Sequence, residues 1–161
     1  MTNSPRAAIA GLGSAVPERV LSNADLEKML DTNDEWITQR TGIKERRIVS
    51  EGQSTVTLAV EAARGALTQA GMTADDLDLI ICATITPEMP LPTTACVIQS
   101  ELGVKNIPAF DVVAACSGYL YAMTVGSQFI MTGKYKRVLV IGVDVLSSIT
   151  DYEDRGTSIL F

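Results

Sequence analysis

A cysteine placed between an apolar run and a small-residue corner is where this chain most invites chemistry. In Ala109-Phe110-Asp111-Val112-Val113-Ala114-Ala115-Cys116-Ser117-Gly118-Tyr119, the stretch up to Ala115 is mostly apolar on both alternations, as in a strand covered on both faces. From Ser117 the period changes: Tyr121, Val125 and Phe129 fall on one helical stripe, with Gly133 as its stop. Cys116 is therefore expected at a strand-to-helix turn, beside the unpaired N–H groups and positive end of the helix dipole. Such a position lowers a thiol's pKa and makes it a nucleophile. The other reading is a packed structural cysteine. A second candidate pair is Trp36 and Arg40, four residues apart and so on one helical face. An indole beside a guanidinium suits a flat heterocycle bearing phosphates; a core tryptophan with a solvated arginine is the alternative. The chain contains no histidine. A Ser-His-Asp or Cys-His pair made within these residues is excluded, as is a His-rich metal site. A nucleophilic Cys116 must find its histidine elsewhere.

Those candidates need elements to hold them, and 161 residues suffice for one domain with a real core. The chain is 47% hydrophobic and 20% charged, the composition of a soluble globular protein. A net charge of −6 argues against a nucleic-acid surface, so any anionic nucleotide must meet locally placed arginines. Neither a basic-plus-apolar leader nor a membrane-length apolar run is expected. Cys82, Cys96 and Cys116 have no metal-type spacing, and their odd number does not suggest a disulfide framework. A reducing cytoplasm is the expected compartment.

In chain order, Ala7 to Ser14 reads as a first strand ending before Pro17. Gly11 and Gly13 lack the third glycine of a dinucleotide loop and read as close packing and a turn. Ser22-Asn23-Ala24-Asp25 is a capping box for a short helix through Leu30. Thr32 or Asn33 caps the Trp36 helix, which Gly42 ends. Lys44 to Val49 is β-prone with its charges on a solvated face. Ser54 caps a helix from Thr55 to Ala70, with Val56, Val60, Ala63 and Leu67 inward and Gly71 after its end. Asp75-Asp76 reads as a turn. Leu77 to Thr84 and Lys136 to Asp144 read as buried strands. The stretch from Thr86 to Thr93 is a proline-rich loop, followed by a helix from Thr93 or Thr94 with Cys96 packed within it and Gly103 after it. Asp151 to Thr157 is a polar loop, and Ser158 to Phe161 begins another strand. The alternation of strands and helices implies α/β layers with right-handed crossovers.

The run Ala114-Ala115-Cys116-Ser117-Gly118-Tyr119 resembles the nucleophile region of β-ketoacyl-acyl-carrier-protein synthase III, a thiolase-fold condensing enzyme that starts fatty acid synthesis. Other stretches are similar to the same family, in the family's order. The resemblance implies that residues 1–161 are the N-terminal half of a duplicated, layered αβαβα architecture with a mixed five-stranded sheet. Asp31 to Ile43 is similar to the family's coenzyme A entrance, which makes Thr32, Trp36 and Arg40 nucleotide-binding candidates; Arg155 resembles a second arginine clamping the adenine. Leu91 and Phe161 fall at the acyl pocket, and a leucine at 91 puts strict acetyl preference in question. The implied reaction is a decarboxylative Claisen condensation of acyl-CoA with malonyl-acyl carrier protein through acyl-Cys116, with no metal or other cofactor. The Cys116 N–H is a candidate oxyanion donor. A histidine and an asparagine of the second half serve decarboxylation in the family, so these residues alone are expected at most to bind coenzyme A and self-acylate. A homodimer is implied, joined through the strand region Asn106 to Val113. A quinolone- or polyketide-starting enzyme of the same fold, and a non-catalytic half-fold partner, are the other readings.

Overall fold

The computed structural model describes residues 6–161. In chain order the elements are β1 (Val20–Ser22), α1 (Asn23–Leu26), α2 (Asp34–Thr41), β2 (Glu45–Arg47), α3 (Thr55–Ala70), β3 (Leu79–Ala83), α4 (Thr94–Glu101), β4 (Ala109–Val112), α5 (Gly118–Met131), β5 (Val138–Gly142) and α6 (Arg155–Ser158). They fall into two compact units. One comprises residues 6–15 with Ser54–Asp144, and the other Val16–Gln53 with Val145–Phe161.

The first unit carries Cys116. Its sheet runs β4-β3-β5, all parallel, with β3 in the centre and wholly buried. Alternation along β3 explains why its sequence is apolar throughout. Ile80 and Cys82 pack with Val56, Ala59, Val60 and Ala63 of α3 and Ala95 and Ile98 of α4. Leu79, Ile81 and Ala83 face the other way, onto Ala122, Val125 and Phe129 of α5. Both faces are thus covered by helices, as short parallel strands require. The α3 boundaries match the expectation: Ser54 accepts from the Thr57 N–H, and Gly71 closes the helix in the left-handed region at φ 65°.

The second unit pairs β1 with β2 antiparallel and packs α1 and α2 around Leu26, Ile37 and Ile159. The Ser22–Asp25 capping box forms, although α1 stops at Leu26 rather than reaching Leu30. Asn33 caps α2 by accepting from the Trp36 N–H at 2.8 Å.

Among the described residues there are five strands, arranged as a parallel sheet of three and a separate antiparallel pair, not as one mixed sheet. Two expected strands account for the difference. Ala7 to Ser14 has no ladder partner among the described residues and lies instead against α3, where a Cβ on Gly11 or Gly13 would collide with the Ala66 or Ala62 carbonyl. Ser158 to Phe161 closes the short helix α6 rather than starting a strand. An extended segment becomes a strand only when a neighbour takes up its backbone groups. Residues 151–157 are likewise not all loop, because Asp154 accepts from the Gly156 and Thr157 N–H groups and starts α6. The α5 stripe is also displaced: Ala122, not Tyr121, faces the sheet, and Tyr121 is exposed.

Candidate active site

Cys116 sits where β4 hands over to α5, in a single 3₁₀ turn spanning Ala115–Ser117. Ala115, just before it, adopts φ 45°, a left-handed conformation costly for a residue with a Cβ. Gly118, just after it, lets α5 approach the sheet: a Cβ there would lie 3.1 Å from that of Ala83. The corner thus combines strain before the sulfur with a close approach behind it. Among the described residues no side chain caps the start of α5, and no acceptor takes up the Cys116 N–H.

The three cysteines differ sharply. Cys82 is buried at the centre of β3, and burial pushes its thiol from an ordinary 9.0 up to about 12. Cys96 is partly covered; it accepts from Thr93 Oγ1 at 3.3 Å and donates to the Ala109 carbonyl at 3.6 Å. Only Cys116 is exposed. Cys96 is thus packed within its helix, as expected, whereas the packed-cysteine alternative does not describe Cys116.

Within the second unit, the Trp36 indole is half-buried and meets two guanidiniums. The Arg40 Cζ stands 4.4 Å from the ring centroid and the Arg155 Cζ 4.2 Å. The i, i+4 spacing on α2 explains the first contact. The second joins residues far apart in sequence and depends on α6. Arg155 forms no ion pair among the described residues, so a surface salt bridge is not its role. Thr32 is arranged differently: its hydroxyl is covered and has no hydrogen-bond partner among the described residues. Leu91, in the proline-rich loop beside a cis Leu91–Pro92 bond, is 79% exposed, and Phe161 is 43% exposed.

Several residues that organise these elements escape a reading of the sequence. Asp111 of β4 accepts from the Thr94 and Ala95 N–H groups at 2.8 and 2.7 Å, so a strand carboxylate caps α4 in place of Thr93. A lone acid inside an apolar run was the available signal. Asp144 accepts from the Ile85 N–H at 2.8 Å, and Glu88 from the Val56 N–H at 2.9 Å. Arg46, expected on a solvated face, is buried. Nothing in Glu45-Arg46-Arg47 distinguishes the middle arginine from its exposed neighbours.

Residues 110–161 match the family model described as 3-oxoacyl-[acyl-carrier-protein] synthase III. The β-ketoacyl-[acyl-carrier-protein] synthase III of Caldanaerobacter subterraneus subsp. tengcongensis is 53% identical over 155 residues, covering 96% of this chain and 47% of that protein. The crystal structure of 3-oxoacyl-[acyl-carrier-protein] synthase III from Aquifex aeolicus superposes with a TM-score of 0.92 at 52% identity, over 95% of this chain and 49% of that one. The priming β-ketosynthase of the R1128 polyketide pathway gives a TM-score of 0.93 at 32% identity, over all of this chain and 49% of that one. The chain spans about half the length of the curated relatives it matches. The fold is therefore the thiolase-like α/β fold of these condensing enzymes, with the exposed Cys116 thiol at a strand-to-helix corner. The family it matches is β-ketoacyl-acyl-carrier-protein synthase III.

Proposed function

We propose that these residues are the N-terminal, acyl-accepting half of a condensing enzyme that starts fatty acid synthesis. The single observation that carries this reading is the exposed thiol of Cys116 at an uncapped helix start. The Cys116 thiolate attacks the carbonyl carbon of an acyl-CoA thioester, with acetyl-CoA as the first choice. The carbon–sulfur bond to coenzyme A breaks, the acyl group stays on Sγ, and the departing thiolate takes a proton from solvent. The Cys116 N–H faces the charge that develops on the thioester oxygen. Malonyl-acyl carrier protein then loses carbon dioxide; its nucleophilic carbon attacks the acyl-cysteine and the Cys116 thiolate leaves.

Trp36, Arg40 and Arg155 take the nucleotide end of coenzyme A. Flat groups stack at about 3.5–4 Å, so an adenine held between the indole and a guanidinium needs about twice that separation. Arg155, at 4.2 Å, must withdraw to admit one. Leu91 and Phe161 border the acyl chain, and Thr32 joins the nucleotide site if its hydroxyl turns outward. The histidine and asparagine for decarboxylation belong to a second half of the kind the longer relatives have room for. The partners are malonyl-acyl carrier protein and a second copy of the chain, joined along the β4 edge, which has no strand partner among the described residues. Free cysteines fit a reducing cytoplasm, and no helix among the described residues is long and apolar enough to cross a membrane.

Prior incubation with acetyl-CoA should protect Cys116 from iodoacetamide while leaving Cys96 labelling unchanged. Equal labelling of Cys116 with and without acetyl-CoA contradicts the reading. The likeness to a polyketide priming enzyme supports a second reading, a polyketide-starting condensing enzyme of the same fold; protection by other acyl-CoA thioesters of a panel but not by acetyl-CoA would favour it.

A further inference from the structure

Arg46 is the one buried charged side chain among the described residues, 6% exposed, and no carboxylate pairs with it there. Its guanidinium fork instead makes three directed hydrogen bonds. Nε donates to the Ser158 carbonyl at 3.1 Å, one terminal nitrogen to the Ile159 carbonyl, and the other to Asn23 Oδ1. The first two acceptors are the far end of α6, the short helix that begins with Arg155. A helix of a single turn does not hold itself. Here its free carbonyls are gripped by a planar, rigid donor set.

Asn23 continues the connection to α2. Buried to 1% exposure, it accepts from Arg46 and spends its amide on Asp34 Oδ1 at 2.7 Å and the Ile43 carbonyl at 2.8 Å. Asp34 is the first residue of α2, and Ile43 follows the Gly42 that closes it. One amide therefore fixes both ends of the helix carrying Trp36 and Arg40. Burying a cation without a counter-ion is expensive, and an apolar filler would hold the space more cheaply. The arginine fork gives what an apolar residue cannot: fixed directions toward three acceptors.

We propose that Arg46, acting with Asn23, is a positioning residue for coenzyme A recognition: it ties α6 to α2 so that the Arg155 guanidinium is delivered to the Trp36 indole. This rests on the reading of Trp36, Arg40 and Arg155 as the nucleotide site. Arg46 touches no nucleotide and acts through Arg155.

The chain has a single tryptophan, so the emission of Trp36 reports the site directly. The test is a titration with coenzyme A, followed by that emission, in the wild-type chain, Arg46→Met, Arg155→Ala and the double variant. Arg46→Met should weaken binding at least about fivefold in the wild-type background and less than about twofold once Arg155 is absent, because both changes remove one contact. Arg46→Lys keeps the charge but not the fork; it should behave the same way and serves where Arg46→Met does not fold. A loss of equal size in both backgrounds marks a general structural role and overturns the proposal. So does unchanged binding in Arg46→Met or Arg46→Lys when Arg155→Ala weakens it. Unchanged binding in both Arg155→Ala and Arg40→Ala overturns the nucleotide reading itself, and the positioning role with it.

Discussion

The contrast between two cysteines of one chain shows how position alone sets thiol chemistry. Cys82 and Cys116 belong to the same layered unit, yet one is wholly buried and the other exposed. Burial raises the Cys82 pKa to about 12, because the charged thiolate is disfavoured in the core. The folded state thus holds its proton where the unfolded chain releases it. The resulting stability is fully present below about pH 9 and is lost as pH rises from there toward about 12. Alkaline unfolding monitored by far-UV circular dichroism should show this loss, and Cys82→Ala should flatten it. In a timed iodoacetamide series near neutral pH, Cys116 should label first, Cys96 later and Cys82 only on unfolding. Asp111 makes the complementary point about acids. Its carboxylate takes both first N–H groups of α4, so Asp111→Ala should cost about 1–2 kcal/mol in a denaturant titration.

The regular elements were legible wherever one local rule decided them. The Ser54 and Ser22 caps, the Asn33 cap and the left-handed closures at Gly42 and Gly71 all stand where local chemistry places them. The two-sided apolarity of β3 also translated directly into its central position. What was not legible depends on partners distant in sequence. Ala7 to Ser14 has strand-like composition but packs on α3 without a ladder. The identity of Arg46 as a buried fork is set by carbonyls more than a hundred residues away. The candidate site divides the same way: the Trp36–Arg40 contact follows from helical spacing, whereas Arg155 reaches the indole only because α6 forms. Gly13→Ala provides a test at this scale. The added Cβ meets the α3 backbone, which cannot move aside as a flexible side chain could, so the segment should detach. Hydrogen exchange should then rise along the exposed face of α3, with the β3 amides unchanged.

For the whole molecule, the reading turns on what half of a condensing fold can do. Under the proposed reading the chain supplies an acyl-accepting thiol, and it contains no histidine to assist decarboxylation. Given malonyl-acyl carrier protein and acetyl-CoA, it should release no carbon dioxide above background, as measured with carboxyl-labelled malonyl. Among the described residues the β4 edge has no strand partner, and the apolar side chains of Met89, Leu91 and Val113 in the first unit are exposed, a combination that favours association. Val113→Lys should therefore shift sedimentation toward the monomer. The most direct measurement is intact-mass and peptide mass spectrometry after incubation with acetyl-CoA. A single acetyl group on the peptide containing Cys116, absent from Cys116→Ala, is the predicted result. An unmodified chain, or an acetyl group that persists in Cys116→Ala, contradicts the account.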